Sequence, residues 1–266
     1  MIPAKPYLKL ISGGRSRMKV IGVIPARWGA TRFEGKVLAN LLGKPVVQHV
    51  WENAKKAKTL DDLIVACDDE RIMKVVEGFG GKAVYTSPDQ PSGTDRLAEV
   101  VNPMDIDIAV NIQGDEPLIK PIIIDSLVIA LQNEKAVQMA TIVKKIEDDS
   151  ELTNSNVVKV IFDKNGYAIY FSRYAIPYNR TSEVDESKRP IYYKHIGLYA
   201  FTKDFLFTFR NLPKSSLENA EKLEQLRVLE NGYKIKIVET NLDTIGIDRP
   251  EDIKKAETAL LKEREK

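Results

Sequence analysis

Lys19-Val20-Ile21-Gly22-Val23-Ile24-Pro25 runs without a break into Ala26-Arg27-Trp28-Gly29-Ala30-Thr31-Arg32-Phe33-Glu34-Gly35-Lys36. The first half is a short apolar run rich in β-branched residues, and it reads as a strand. The second half sets three fixed cations, Arg27, Arg32 and Lys36, among small residues that let backbone N–H groups approach an anion. A helical pattern follows near residues 45–58. In an open α/β sheet, ligands bind beyond the carboxyl ends of the strands, so the junction reads as a seat for a polyphosphate. The competing reading is an ordinary solvated loop. There is no G-x-x-x-x-G-K-[ST] run, and Gly22 and Gly29 do not fall in the G-x-G-x-x-G spacing. Both absences argue against a P-loop NTPase and a standard dehydrogenase.

Outward from this junction, short β-rich runs alternate with helical patterns. Strands are expected near 19–25, 62–67, 82–85 and 107–112, and helices near 45–58, 69–79, 94–101 and 121–132. That alternation implies βαβ units and a mostly parallel sheet flanked by helices. The second half is less regular. It offers strands near 138–145, 157–162, 167–172, 192–202 and 233–238, and helices near 203–210, 216–230 and 249–263. Adjacent strands there suggest a smaller antiparallel extension packed on a Rossmann-like α/β sheet. Residues 179–189, polar and mixed in charge, read as an exposed loop. With no internal repeat and no low-complexity linker, residues 18–266 read as one domain with an embedded subdomain at about 140–232. Residues 1–17 read as an extension of low structural content.

The chain has 266 residues, 43% of them hydrophobic, enough for a substantial core. Its 40 basic and 38 acidic residues leave a net charge of +2. Nothing global therefore points to nucleic acid, whose partners carry a strongly basic face. No stretch has the length of a signal peptide's apolar region or of a membrane span, so a cytoplasmic, non-membrane protein is expected. The one cysteine, Cys67, excludes an intramolecular disulfide and fits a reducing compartment. It follows Leu63-Ile64-Val65-Ala66, which favours a buried structural thiol over a nucleophile.

Asp115 closes an apolar strand in Val110-Asn111-Ile112-Gln113-Gly114-Asp115-Glu116-Pro117. A carboxylate there suits a hard cation, and Mg²⁺ takes one or two protein carboxylates with water and substrate phosphates completing its octahedron. Turn chemistry explains an Asp-Glu-Pro run as well. Asp248, in Ile245-Gly246-Ile247-Asp248-Arg249-Pro250-Glu251-Asp252, is a second candidate, but a helix N-cap with acids in the first turn accounts for it equally. Thr86 through Arg96 forms a turn-rich loop entering a helix. Its hydroxyls, Ser92 and Thr94 among them, suit either capping or contact with a base or ribose, and Arg96 is within reach of a phosphate. His49 and His195 lack the spacing of a zinc site. His49 reads as packing or surface, while for His195 a ligand contact and a structural role stay open. No G-x-S-x-G elbow occurs.

Taken in order, seven segments resemble the CMP-Kdo synthetases, the 3-deoxy-manno-octulosonate (Kdo) cytidylyltransferases of the sugar nucleotidyltransferase superfamily. They are Ile24-Pro25-Ala26-Arg27 with Thr31-Arg32 and Gly35-Lys36; Ser92-Gly93-Thr94-Asp95-Arg96; Asn111-Ile112-Gln113-Gly114-Asp115-Glu116-Pro117; Tyr170-Phe171-Ser172-Arg173 with Ile176-Pro177; Lys194-His195-Ile196-Gly197-Leu198-Tyr199; Leu223-Glu224-Gln225-Leu226-Arg227; and Gly246-Ile247-Asp248 with Pro250-Glu251-Asp252. The resemblance covers about residues 19–263. It implies a nucleotide-diphospho-sugar transferase fold, a homodimer, and transfer of CMP from CTP to Kdo with Mg²⁺, for lipopolysaccharide biosynthesis.

By the same resemblance Arg27, Arg32 and Lys36 would bind the triphosphate. Ala26, Thr86, Ser92 and Gly93 would line the cytosine and ribose pocket, with Arg96 and Gln113 near the nucleotide. Asp115 and Asp248 would hold Mg²⁺, and Arg27 and Lys36 would act with them in catalysis. Gln113, Arg173, His195, Tyr199, Glu224 and Gln225 would form the sugar side. Related acceptors, 8-amino-Kdo or a sialic acid, and an inactive nucleotide-binding relative are the alternatives. The chain departs from the pattern at Phe33-Glu34-Gly35-Lys36-Val37-Leu38, where the family has Leu-Pro-Gly-Lys-Pro-Leu. A less rigid loop is expected there, with an acid beside the phosphates. Arg249 stands where a small polar residue is common.

Overall fold

The structure is a computed structural model that describes residues 17–30, 32–180 and 190–264. The expected extension at 1–17 (all but Arg17), Thr31 of the loop motif and most of the expected loop at 179–189 lie outside the described residues. The first βαβ units fall where the sequence places them. They comprise β1 (Val20–Ala26), α1 (Val46–Ala54), β4 (Asp62–Cys67), α2 (Glu70–Gly78), β5 (Lys82–Tyr85), α3 (Gly93–Val101), β6 (Ile108–Asn111) and α4 (Pro121–Asn133). A short hairpin, β2 (Asn40–Leu41) with β3 (Lys44–Pro45), is inserted before α1. The second half supplies β7 (Met139–Lys145), α5 (Ser150–Thr153), β8 (Lys159–Phe162), β9 (Ala168–Ser172) and β10 (Tyr193–Thr202). It continues with α6 (Lys203–Asn211), α7 (Ser216–Glu221), α8 (Gln225–Glu230), β11 (Lys236–Thr240) and α9 (Pro250–Arg264).

The main sheet has the order β11-β7-β10-β6-β1-β4-β5, with β8 paired to β10 and β9 to β8. β6, β1, β4 and β5 are mutually parallel, and β10 runs against both β6 and β7. Both faces are covered, which is why β1 and β4 are apolar along nearly their whole length rather than alternating. On one face Ile24, Val65 and Val110 pack with Val47 and Val50 of α1 and Ile123 and Leu127 of α4. On the other, Ile21, Ile64 and Ala109 pack with Leu97 of α3, Phe205 and Phe209 of α6, and Leu226 of α8. A third cluster, Leu41, Val46, Leu118, Ile247 and Ala256, ties the hairpin to α9 and so fixes the segment that carries Asp248.

The antiparallel extension is present in β8, β9 and β10. β11, expected in the same extension, instead pairs parallel to β7. The single helix expected at 216–230 is two, broken at Lys222, whose φ of 54° is left-handed. A largely buried bidentate pair ties the two helices together across the break. Arg227 donates to both Glu218 carboxylate oxygens, at 2.7 and 2.6 Å.

Candidate functional site

The carboxyl ends of β1, β4 and β6 meet at one edge of the sheet, the position where open α/β sheets bind ligands. Beyond β1, Gly35 (φ 66°) turns the loop into a 3-10 turn, Lys36–Leu38, with Val37 buried beneath it. A side chain at Gly35 would meet the Trp28 ring at 2.9 Å, so both its backbone and its packing require glycine. Beyond β6, a Cβ on Gly114 would lie 2.6 Å from the Pro25 carbonyl. That close approach of two strand ends is what sets Asp115 beside the β1 loop.

Lys36 is the meeting point. Its ammonium donates to Asp115 Oδ2 and, at 3.0 Å, to Asp248 Oδ1, while Arg32 reaches Asp248 Oδ2 at 3.4 Å. Burial works against the Lys36 charge, but the two carboxylates outweigh it and hold its pKa above the ordinary lysine value. The capping reading of Asp248 does not hold. Asp252 does the capping, its Oδ2 accepting from the N–H groups of Asp248 at 3.2 Å and Arg249 at 3.0 Å. Asp248 is left facing the cations, with 60% of its side chain exposed.

Two cavities share Arg27 and Lys36. One, of about 230 Å³, is lined by Pro25, Arg27, Lys36, Val37, Gln90, Pro91, Ser92, Gly93, Arg96, Gln113, Gly114 and Asp115. The other, of about 330 Å³, is lined by Arg27, Ala30, Arg32, Phe33, Lys36, Asn156, Val158, Arg173 and Asp248. Four cations against one carboxylate line the second, a balance that suits a polyanion. Ser92 both caps α3, accepting from Asp95 N–H at 3.1 Å, and lines the first cavity. Gln113 donates to the Gly197 carbonyl at 2.8 Å.

Several expected contact residues lie elsewhere. The Ala26 methyl is in the core, and Thr86 is 1% exposed, its hydroxyl donating to the Cys67 carbonyl at 3.0 Å and accepting from Arg96. Neither side chain lines either of these two cavities. The Arg96 guanidinium is likewise held by Asp68 at 2.9 Å, though its edge reaches the first cavity. Asp68 is the residue that sequence reasoning missed. Its other oxygen accepts the Trp28 N–H at 2.9 Å, so it ties the β1 loop to α3. Its signal was position alone, the first residue past β4.

Glu34, the acid that replaces the family's proline, has a partner: it accepts from Trp28 Nε1 at 2.6 Å, and Arg71 stacks 3.4 Å over the same indole. The loop expected to be loose is therefore stapled from within. Glu116 does not line either cavity. Among the described residues its Oε2 has no partner, and burial, then the Asp115 charge, pushes its pKa up to about 8.

His195, Tyr199, Glu224 and Gln225 form a layer behind the cavities rather than their lining. Glu224 accepts from Thr94 Oγ1, and burial raises its pKa. Gln225 is 3% exposed, and among the described residues its Nε2 has no partner. The His195 ring packs between Phe171 and Tyr199. Because the Thr141 hydroxyl donates to the Leu198 carbonyl at 2.7 Å, it accepts from His195 Nε2–H at 2.9 Å.

Desolvation lowers the His195 pKa to about 3. A depressed folded-state pKa makes its stabilising contribution complete above the unfolded value and lost as pH falls from about 6.5 towards 3. Unfolding free energies of the wild type should drop by roughly 2 kcal/mol more than those of His195→Gln between pH 7 and pH 5. Equal drops in urea melts would show that His195 takes up no proton on unfolding.

Among the described residues no group of three or more His, Cys, Asp or Glu side chains converges, so a protein-built metal cage is absent there. Asp115 and Asp248, on one ammonium, offer two carboxylates instead. That donor set is oxygen-only and incomplete, the pattern Mg²⁺ uses when a substrate's phosphates supply the rest.

A family model described as cytidylyltransferase matches residues 21–237. The chain is 51% identical over 252 residues to the 3-deoxy-manno-octulosonate cytidylyltransferase of Thermodesulfovibrio yellowstonii, covering 91% of this chain and 98% of that one. It is 50% identical to the enzyme of the same name from Geotalea uraniireducens, over 90% and 97% of the two chains. Among solved structures it superposes on a CMP:2-keto-3-deoxy-manno-octonic acid synthetase complexed with CTP. The TM-score is 0.86 at 39% identity, over 92% of this chain and 99% of that one.

Proposed function

The chain belongs to the cytidylyltransferase family, and from that membership we propose that it transfers CMP from CTP to Kdo, releasing pyrophosphate, for lipopolysaccharide biosynthesis. The observation that carries the reading is the pair of cavities joined at Lys36, one beside the Ser92-Gly93 turn and the other basic and reaching Arg173. The anomeric oxygen of the sugar gives up its hydroxyl proton to solvent and forms the new bond to the α-phosphorus as the bond to the departing pyrophosphate breaks. Both reactants are anions, so catalysis rests on alignment and on neutralising charge. Arg27, Arg32 and Lys36 hold the triphosphate. Ser92, Gly93 and Gln113 border the nucleoside, and Arg173 faces the sugar carboxylate, a match for its planar fork.

No covalent nucleophile is needed. Cys67 is buried, and desolvation with the Asp68 charge pushes its thiol up to about 11, keeping it protonated. Asp115 and Asp248 would hold Mg²⁺, which when bound neutralises phosphate charge and lowers the pKa of a hydroxyl it coordinates. Pyrophosphate release from CTP and Mg²⁺ should be fast with Kdo and slower with 8-amino-Kdo and sialic acid. No release with any of the three would overturn the reading.

The proposal extends to assembly and place. Large apolar side chains stand exposed between residues 169 and 191, with Tyr174 at 81% and Tyr178 at 87%, and a homodimer through the 140–232 segment would cover them. Sedimentation should give twice the 30.0 kDa chain mass, and a monomer at micromolar concentration would remove the dimer. Among the described residues no helix is long and apolar enough to cross a membrane. Cytoplasmic residence suits the lone cysteine.

A further inference from the structure

Lys159 is the largest of the fully buried side chains, at 0% exposure, and among the described residues no carboxylate lies within ion-pair distance of it. Its ammonium instead donates to three main-chain carbonyls: Asn154 at 3.0 Å, Val157 at 2.7 Å and Arg173 at 2.7 Å. That exhausts its donors. Arg173 repeats the arrangement. Its guanidinium donates to the carbonyls of Glu221 at 2.7 Å, Ser155 at 3.0 Å and Lys222 at 3.4 Å. The helix break at Lys222 frees two of those acceptors, since carbonyls at a helix end have no partner along the chain. Two cations thus gather six carbonyls from three separate segments.

A buried ammonium is costly, and an apolar side chain of similar length would fill the same space more cheaply. Burial accordingly depresses the Lys159 pKa, with the Glu221 charge partly compensating and the neighbouring Arg173 charge adding to the depression. What the charge accomplishes is geometric. Asn156, Val158 and Arg173 line the basic cavity, and Lys159 fixes the loop before β8 and the Arg173 main chain from beneath them. Glu221 completes the support, accepting from the Arg173 N–H at 2.9 Å and the Ser172 hydroxyl at 2.7 Å. Arginine has five N–H donors, so three carbonyl bonds leave two for a ligand.

We propose that Lys159 is a positioning residue for the acidic sugar: by clamping the 154–157 loop to the Arg173 main chain, it holds the Arg173 guanidinium where the sugar carboxylate enters. This rests on the reading of the Arg173 end of the basic cavity as the sugar side, with Arg27, Arg32 and Lys36 facing the triphosphate at its other end. Lys159 itself touches no substrate. Its influence falls on one of the two substrates and passes through one residue.

Lys159→Met should raise the KM for the sugar by roughly 10- to 100-fold, the scale of a misplaced binding group, and leave the KM for CTP within about twofold. In an Arg173→Ala background the same substitution should add little, because the side chain it positions is gone. An unchanged sugar KM, an equal rise for CTP, or effects that multiply in the double variant would overturn the proposal. If Lys159→Met does not fold, Lys159→Gln carries the test. It keeps two donors without the charge and should show the same selective rise at smaller size. Wild-type turnover with Kdo checks the underlying reading separately, so the failure of either is visible on its own.

Discussion

Replacing Lys36 with Met should lower kcat/KM by on the order of 10³- to 10⁵-fold, the range seen when a cation aimed at a transferring phosphoryl group is removed. The residue is held for that task. Gly35 sets its backbone through a left-handed turn, Val37 anchors the turn in the core, and Asp115 and Asp248 grip the ammonium from two directions. Only 15% of the side chain is exposed, and its charge persists because the carboxylates outweigh desolvation. Methionine would remove that charge from the junction of the two cavities. It would also leave two carboxylates facing the phosphates without a counter-ion, so CTP binding should weaken along with turnover. Stability should fall by roughly 1–3 kcal/mol, since Asp248 is open to water but Asp115, 22% exposed, loses its partner. Steady-state pyrophosphate release with a thermal melt separates the two effects. A kcat/KM within tenfold of wild type would place Lys36 away from the reacting atoms.

The sequence reading located these residues for reasons that also explain where it stopped. β1, β4 and β6 are buried on both faces and so appear as unbroken apolar runs; Asp115 lies four residues past β6, and Lys36 ends the loop that β1 feeds. The break at Lys222 left no such trace. Residues 216–230 hold no glycine or proline to mark it, and the left-handed turn is held by Arg227 and Arg173, contacts that local sequence does not carry. The direction of β11 was hidden likewise, because period-two apolarity is the same for parallel and antiparallel neighbours. Asp248 was ambiguous in sequence because capping and ion binding use the same side chain. The choice rests on Asp252, whose carboxylate takes the capping role. Ala26 and Thr86 show the opposite limit. Their positions near the site were legible, but not that one faces the core and the other bonds Cys67 and Arg96.

Asp115→Ala and Asp248→Ala should each fold normally and lose turnover by about 10³-fold or more, the several kcal/mol of transition-state charge stabilisation that a bound metal supplies. Folding is not at issue. Asp115 contributes its main-chain carbonyl to Ile247 N–H at 2.9 Å, a bond that alanine keeps, and Asp248 is mostly exposed. The sign of the result distinguishes two roles for these acids. If they serve only as counter-ions to Lys36 and Arg32, removing a negative charge beside a triphosphate should tighten CTP binding and preserve turnover. If they are ligands for Mg²⁺, the same change should abolish turnover and weaken the Mg²⁺ dependence of CTP binding, measured by calorimetry at several Mg²⁺ concentrations. The double variant should then be little worse than either single one, because groups that act as a unit lose their function together. Loss in one variant alone would assign the role to that carboxylate, and wild-type rates in both would remove the metal from this pair.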